Sequence, residues 1–93
     1  KYHKGYSSKT KTPNGKEVYL KLMPNPSHLE AVDAVVLGYV RAQGDNLYKE
    51  NPSKILPIII HGDAAVAGQG IVYETVQMSA LRGYNVGGAI HFV

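Results

Sequence analysis

The 93-residue sequence lacks several features that would point to particular classes of protein. It contains no cysteine, so disulfides, thiolate chemistry and cysteine-ligated zinc are excluded. No apolar run approaches the ~20 residues needed to cross a bilayer, and the first residues lack the apolar stretch of a signal peptide. At 44% hydrophobic and 18% charged residues, the composition is that of an ordinary globular protein rather than a disordered one. We expect no membrane association.

The sequence also lacks a concentrated basic region. Its net charge of +3 would suit nucleic acid, because basic surfaces attract phosphate backbones. The lysines are spread along the chain, however, without an arginine cluster or a helix carrying a basic stripe. We therefore expect no nucleic-acid partner. The absence of an initiator methionine, and a start in the middle of a pattern, indicate an internal piece of a longer chain.

The first half of the chain predicts a loop, a strand and a helix. Residues 5–16 are rich in Gly, Ser, Thr and Lys and contain a Pro-Asn-Gly turn signal, so they are expected to form an exposed loop. Residues 17–23 alternate apolar and polar side chains with the period of a strand. Ser27 and Glu30 have the spacing of a capping box, which predicts a helix over residues 28–44.

The second half predicts a strand–helix–strand unit after a polar linker at residues 44–54. KILPIII at residues 54–60 is short and isoleucine-rich, as expected for a strand buried on both faces. Pro57 suggests that the strand begins just after it. A helix over residues 71–81 and a strand over residues 87–93 complete a crossover, which implies a parallel sheet. The predicted fold class is α/β, with a βα unit followed by a βαβ unit.

The segment HGDAAVAGQG, residues 61–70, is predicted to be a ligand-binding loop. Loops at the carboxyl ends of parallel strands line the crevice where α/β proteins bind ligands. The glycines and alanines would let a ligand approach the backbone, and Asp63 would suit Mg²⁺, which takes one or two carboxylates beside phosphate oxygens and water. The pattern equally allows Asp63 to cap the following turn. The standard dinucleotide and P-loop motifs do not match.

Four blocks of sequence, taken in order over essentially the whole chain, resemble one family. They are KYHKGYSS, LMPNPSHLEAVDAVVLG, IIIHGDAAVAGQGIVYET and LRGYNVGGAIHFV. The family is the thiamine-diphosphate-dependent first component of the 2-oxoglutarate dehydrogenase complex. Gly62-Asp63 resembles the start of its cofactor motif, whose second half, an Asn-Asn pair, would follow just after Val93. The resemblance implies that residues 1–93 are part of one thiamine-diphosphate-binding domain, on the pyrophosphate side, with a parallel-sheet fold.

The resemblance also implies the metal and cofactor contacts of the predicted loop. Asp63 would ligate Mg²⁺ and so hold the diphosphate of thiamine diphosphate. Ala64 and Ala65 would pack beside the diphosphate and offer backbone contacts. Ser27 and Leu29 match positions that line the cofactor, with Leu29 as apolar support and Ser27 close to the substrate as well.

The histidines receive different interpretations. His3 matches a histidine that contacts the 2-oxo acid, where it would neutralise a carboxylate or relay a proton, since histidine titrates near neutral pH. His28 fits capping or solvent contact as well as a ligand role. His61 would either donate to phosphate or orient the loop. His91 alternates within a strand and is interpreted as structural.

The activity implied by the resemblance is oxidative decarboxylation of 2-oxoglutarate in the tricarboxylic acid cycle, with reductive succinyl transfer to a lipoyl group. The implied partners are the 2-oxo acid, a lipoyl-bearing succinyltransferase subunit and a second copy of the chain in a homodimer. The alternatives are a paralogue specific for 2-oxoadipate and a non-catalytic scaffold or interface piece; the presence of Asp63 and His3 favours the enzyme. We expect bacterial cytoplasm rather than mitochondrial matrix, and an isolated fragment that is inactive.

Overall fold

The computed structural model describes residues 3–49 and 51–93. Within them the elements follow the order β1 (Tyr6–Lys11), β2 (Glu17–Leu22), α1 (Ala31–Leu47), a 3-10 turn (Pro52–Lys54), β3 (Ile58–Ile60), α2 (Asp63–Gly68), α3 (Gly70–Met78) and β4 (Ile90–Phe92). The strands form two pairs, β1 antiparallel to β2 and β3 parallel to β4. No helix in the described part of the chain is long and apolar enough to cross a membrane.

The first pair is a hairpin whose residues are almost all exposed, including apolar side chains such as Tyr19 and Leu20. Its turn is closed by the Thr12 N–H, which donates to the Lys16 carbonyl, and Gly15 takes the left-handed φ of 82° that favours glycine. The predicted strand at residues 17–23 and the turn signal before it are confirmed. The prediction that all of residues 5–16 form a loop is wrong, because residues 6–11 pair with β2. Nearly every hairpin residue is exposed, so β1 carries no buried apolar alternation that would have revealed it.

Helix α1 begins three residues later than the capping-box spacing predicted. The capping box is absent because both of its side chains are used elsewhere. Ser27 bonds to His3, and the Glu30 carboxylate accepts a hydrogen bond from His61. Glu30 is the first residue outside the helix and has a φ of 64°, in the left-handed region. At its other end the helix continues through Leu47, so it includes the start of the predicted linker. Position 50 of that linker lies outside the described residues.

The parallel pair places β3 beside β4, with Ile58 opposite Ile90 and Ile60 opposite Phe92. As predicted, β3 starts directly after Pro57. The expected burial on both faces is wrong for this chain: the central isoleucine, Ile59, is 4% exposed, but its neighbour Ile60 is 82% exposed. Successive side chains of a strand point to opposite faces, and in β3 only the face that carries Ile59 is buried.

The connection between β3 and β4 is more helical than predicted. Residues 63–68, predicted as loop, form α2, because alanine favours helix strongly enough to outweigh the flanking glycines. After one extended residue, Gln69, the chain enters α3. This helix confirms the one predicted over residues 71–81, but it ends earlier, at Met78. Helix α3 packs against α1. The α/β class with a parallel strand pair is thereby confirmed.

Candidate active site

Asp63 stands where the parallel strand ends, as predicted. The ladder extends one residue past β3, since the His61 N–H donates to the Phe92 carbonyl at 2.8 Å. Gly62 continues in an extended conformation, and Asp63 is exposed at the start of α2. One carboxylate oxygen, Oδ1, accepts the N–H of the next residue, Ala64, at 2.8 Å. Gly62 rather than Asp63 is the N-cap of α2, and the helix has no side-chain cap. The other oxygen makes no hydrogen bond or ion pair with any residue in the described ranges.

The chemistry of this carboxylate fits a hard divalent cation. Mg²⁺ prefers oxygen ligands and keeps several waters or phosphate oxygens beside one or two protein carboxylates. Asp63 offers an exposed oxygen of that kind, and the neighbours Ala64 and Ala65 are too short to obstruct it. A single carboxylate leaves most of an octahedral shell to phosphate and water. The residues therefore fit a metal that is held jointly with a diphosphate.

A second group of predicted residues meets at an exposed position around His3. The His3 Nδ1–H donates to the Asn25 carbonyl at 2.7 Å, and the Ser27 hydroxyl donates to His3 Nε2 at 3.1 Å. A carbonyl only accepts, so Asn25 fixes the tautomer with the proton on Nδ1 and leaves the Nε2 lone pair available. Leu29, two residues after Ser27, is 61% exposed. No motif or spacing in the sequence predicted the Asn25 contact.

The structure brings His3 and Ser27 together across 24 residues of chain. Asp63, Ala64 and Ala65 form a separate stretch on α2. Within residues 3–49 and 51–93, no hydrogen bond or ion pair joins the His3 group to Asp63. A ligand that contacted both groups would therefore bridge them itself.

A third group, not predicted from the sequence, is buried between α1 and β3. Glu30, Asp33 and His61 are 9%, 2% and 8% exposed. The His61 Nδ1–H donates to Glu30 Oε2 at 2.5 Å, while His61 Nε2 lies 2.7 Å from His91 Nδ1. The two imidazole rings are nearly parallel, with an interplanar angle of 8°. The sequence did contain a signal for this group. It has two acidic residues three positions apart at a helix start and a histidine directly after a strand.

Asp33 carries an electrostatic penalty within this buried group. Burial raises the pKa of its carboxyl to about 6, helped by a hydrogen bond with Glu30 and by repulsion from that neighbouring carboxylate. His61 opposes this shift, with its Nδ1 4.0 Å from Asp33 Oδ2. The other oxygen, Oδ1, is buried without a hydrogen-bond partner in the described residues. Glu30, Asp33 and His61 each place one potential metal-ligand atom within 4.8 Å of the other two. The His61 Nδ1 proton joins two of them as a hydrogen bond.

Comparison with known proteins identifies the family. The family model of the dehydrogenase E1 component matches residues 2–93. The chain belongs to the dehydrogenase E1 component family. Over 93 residues it is 55% identical to the 2-oxoglutarate dehydrogenase E1 component of Azotobacter vinelandii and 52% identical to that of Rickettsia felis. It is 52% identical over 94 residues to the mitochondrial 2-oxoglutarate dehydrogenase of Schizosaccharomyces pombe.

These alignments cover 100% of this E1-family chain but only 10%, 9% and 9% of the three relatives. The chain thus spans about a tenth of the length of the curated relatives it matches. The family resemblance seen in the four sequence blocks is confirmed. The roles expected for single residues stay predictions.

One cavity of this E1-family chain lies away from the exposed candidate residues. It has a volume of about 550 Å³ between α1, α3 and the segment leading into β4. Asp33 and His91 are part of its wall, but His3, Ser27 and Asp63 are not. Volume alone therefore does not locate the candidate site; the strand end and the polar contacts do.

Proposed function

We propose that this chain is the pyrophosphate-side part of one thiamine-diphosphate-binding domain, in an enzyme that oxidatively decarboxylates 2-oxoglutarate. The enzyme would transfer the succinyl unit reductively to a lipoyl group, as part of the tricarboxylic acid cycle. Three relatives with 2-oxoglutarate dehydrogenase names, 52–55% identical over the whole chain, support this substrate. The structural observation that carries the proposal is the exposed Asp63 carboxylate at the end of a parallel strand.

The proposed enzyme is a polypeptide of the relatives' length. Its partners would be a second copy in a homodimer and a lipoyl-bearing succinyltransferase subunit. A bacterial cytoplasmic location remains our expectation. Isolated residues 1–93 would be inactive, because this chain offers one candidate metal ligand and part of the candidate substrate contacts.

Asp63 would hold Mg²⁺ through its free carboxylate oxygen, while Oδ1 stays bonded to the Ala64 N–H. This internal bond limits rotation of the carboxylate, while the other oxygen has no hydrogen bond to the described residues. Ala64 and Ala65 would leave room for the diphosphate beside the metal. The cofactor, when bound, supplies the nucleophilic carbon and the electron sink that decarboxylation requires.

His3 would act on the 2-oxo acid through Nε2. The Asn25 carbonyl holds the proton on Nδ1, so Nε2 can accept a proton from a reacting group. Once protonated, the imidazolium would neutralise a substrate carboxylate, and the Asn25 carbonyl would stabilise it through the Nδ1–H bond. Ser27 would release Nε2 and turn its hydroxyl to the ligand. Leu29 would support the cofactor with its exposed apolar side chain.

The test is decarboxylation by the full-length polypeptide that contains this chain. We expect CO₂ release from 2-oxoglutarate that requires both thiamine diphosphate and Mg²⁺, measured with an artificial electron acceptor. A higher kcat/KM for 2-oxoadipate than for 2-oxoglutarate would mean that the longer acid is the substrate. Cofactor binding without turnover of either acid would favour the scaffold alternative.

A further inference from the structure

We propose that Glu30 and His91 are positioning residues: they hold the His61 ring from two sides and thereby fix the Gly62-Asp63 turn that presents the metal-binding carboxylate. The inference rests on the proposed role of Asp63 as a Mg²⁺ ligand. It adds to that role two residues that touch neither the metal nor the substrate.

His61 is anchored at three points. Its backbone N–H bonds to the Phe92 carbonyl at 2.8 Å, its Nδ1 to Glu30 at 2.5 Å, and its Nε2 to His91 at 2.7 Å. The two side-chain partners come from segments 31 and 30 residues away along the chain. Three contacts in different directions fix both the backbone and the ring of this residue.

Asp63 follows His61 after a single glycine. Gly62 has no side chain with which to anchor itself, and no atom other than the Ala65 Cβ, at 3.9 Å, would meet a side chain built there. The Gly62 carbonyl accepts the Val66 N–H of α2 at 3.0 Å, so the side-chain anchor nearest to Asp63 on the strand side is that of His61. Movement of the His61 backbone would pass directly to the Asp63 carboxylate.

The backbone of Glu30 has an uncommon conformation at the point where its side chain contacts His61. A φ of 64° is uncommon for a residue other than glycine and persists only where the surroundings enforce it. Glu30 gains no capping bond from this conformation, because its carboxylate does not bond to the start of α1. What the conformation provides is a buried carboxylate within 2.5 Å of His61 Nδ1, a short, charge-assisted hydrogen bond.

His91 completes the arrangement from the neighbouring strand. It lies on β4, directly opposite Ile59 of β3, and its Nδ1 points at His61 Nε2. One of these nitrogens donates and the other accepts, which fixes the rotation of the His61 ring. Partners that orient a metal-binding group without touching the metal commonly change metal affinity by about 10–100-fold.

The test uses Mg²⁺ titration of thiamine diphosphate binding to the full-length protein, followed by fluorescence or circular dichroism without substrate. We expect His91→Ala to raise the half-saturating Mg²⁺ concentration by about 10–100-fold. His91→Asn, whose amide can supply a polar atom near the Nδ1 position, should return it to within about 3-fold of wild type. At saturating Mg²⁺ the His91→Ala protein should recover wild-type kcat.

Two further variants separate positioning from folding. Phe92→Ala, on the same strand, removes an exposed side chain but keeps the backbone carbonyl that bonds to His61, and should leave the Mg²⁺ dependence unchanged. Glu30→Gln keeps a hydrogen-bond acceptor for Nδ1 and should shift the dependence less than Glu30→Ala.

Equal Mg²⁺ dependence in wild type and His91→Ala would overturn the inference while leaving the role of Asp63 intact. A shift of the same size in Phe92→Ala, or no rescue by His91→Asn, would show a general disturbance of β4 and would also overturn it. If the wild-type protein bound thiamine diphosphate without any requirement for Mg²⁺, the proposed function itself would fail first.

Discussion

Two histidine networks in this chain use the same side chain in opposite environments. His3 is exposed, bonded to one backbone carbonyl and one serine hydroxyl, and its Nε2 can be freed by rotation of Ser27. His61 is buried and both of its ring nitrogens are held by other ionisable side chains, those of Glu30 and His91. Proton exchange with a ligand is open to the first histidine and closed to the second. His3 is therefore a candidate for acid–base chemistry, and His61 is a candidate for positioning the backbone.

The networks also differ in what a substitution would leave behind. Removing the His3 ring frees an exposed carbonyl and hydroxyl that water can satisfy. Removing one partner of the His61–Glu30 pair leaves a buried polar group without its hydrogen bond, which costs stability. We therefore expect variants of the exposed network to affect turnover, and variants around the buried network to affect metal binding or folding.

The largest effect is expected for Asp63→Ala, at the end of the segment that the buried network holds. No side chain in residues 64–70 can replace a carboxylate ligand, since they are only Ala, Val, Gly and Gln. Cofactor affinity in the presence of Mg²⁺ should fall by more than about 100-fold, beyond the scale for groups outside the ligand shell. Activity should be abolished with the fold retained. Calorimetry and circular dichroism measure the two quantities; normal Mg²⁺ and cofactor binding would remove Asp63 from the metal site.

His3→Ala should lower turnover by about 10²–10⁴-fold, the usual contribution of one acid–base group, while cofactor affinity is kept. Ser27→Ala removes only the hydroxyl that donates to Nε2 and should have a smaller effect on kcat. Steady-state decarboxylation of 2-oxoglutarate beside cofactor titration distinguishes the cases. Loss of cofactor by the His3 variant would mean that the roles of His3 and Asp63 have been exchanged.

Gly87→Ala should weaken the support of β4 without touching the exposed network. Gly87 has a φ of 84°, and a Cβ there would lie 2.5 Å from the Pro52 Cβ. Left-handed strain alone costs about 1–3 kcal/mol, so the free energy of unfolding should fall by at least that order. Gly83→Ala is the matched control, because nothing lies within 4 Å of its Cβ position and its φ is not positive. Denaturant unfolding that gave equal stability for both variants would contradict the close approach to Pro52.

The smallest effect is a pH-dependent gain in stability from Asp33→Asn. The pKa of Asp33 is raised from 3.8 to about 6, so the folded state retains a proton that the unfolded chain loses. Stability from this carboxyl is therefore present below about pH 4 and lost as the pH rises through 6. Asparagine carries no such charge, so the variant should be more stable than wild type at pH 7–8, with the difference shrinking toward pH 4. Unfolding measured across this range checks the sign. The stability of the variant minus that of wild type should increase from pH 5 to pH 8, and a decrease would contradict the prediction.

Local sequence determined the elements whose signals lie within a few residues. Four predictions are confirmed because each depends on neighbouring residues. They are the strand at residues 17–23, the Pro-Asn-Gly turn, the start of β3 after Pro57 and the helix before β4. The position of Asp63 at the end of a parallel strand followed from the same kind of pattern. The four blocks of sequence were sufficient to identify the family.

Tertiary contacts decided the rest. Glu30 has the spacing of a capping residue, yet its carboxylate bonds to a histidine 31 residues away, and α1 starts later as a result. Burial makes this pairing stronger than an exposed cap, because few waters compete for the carboxylate there. The roles of Asn25 and His91 likewise depend on which segments the fold places side by side. Sequence spacing locates a polar residue on its element, but only the tertiary arrangement that brings the start of α1 and strand β4 to His61 determines its partner.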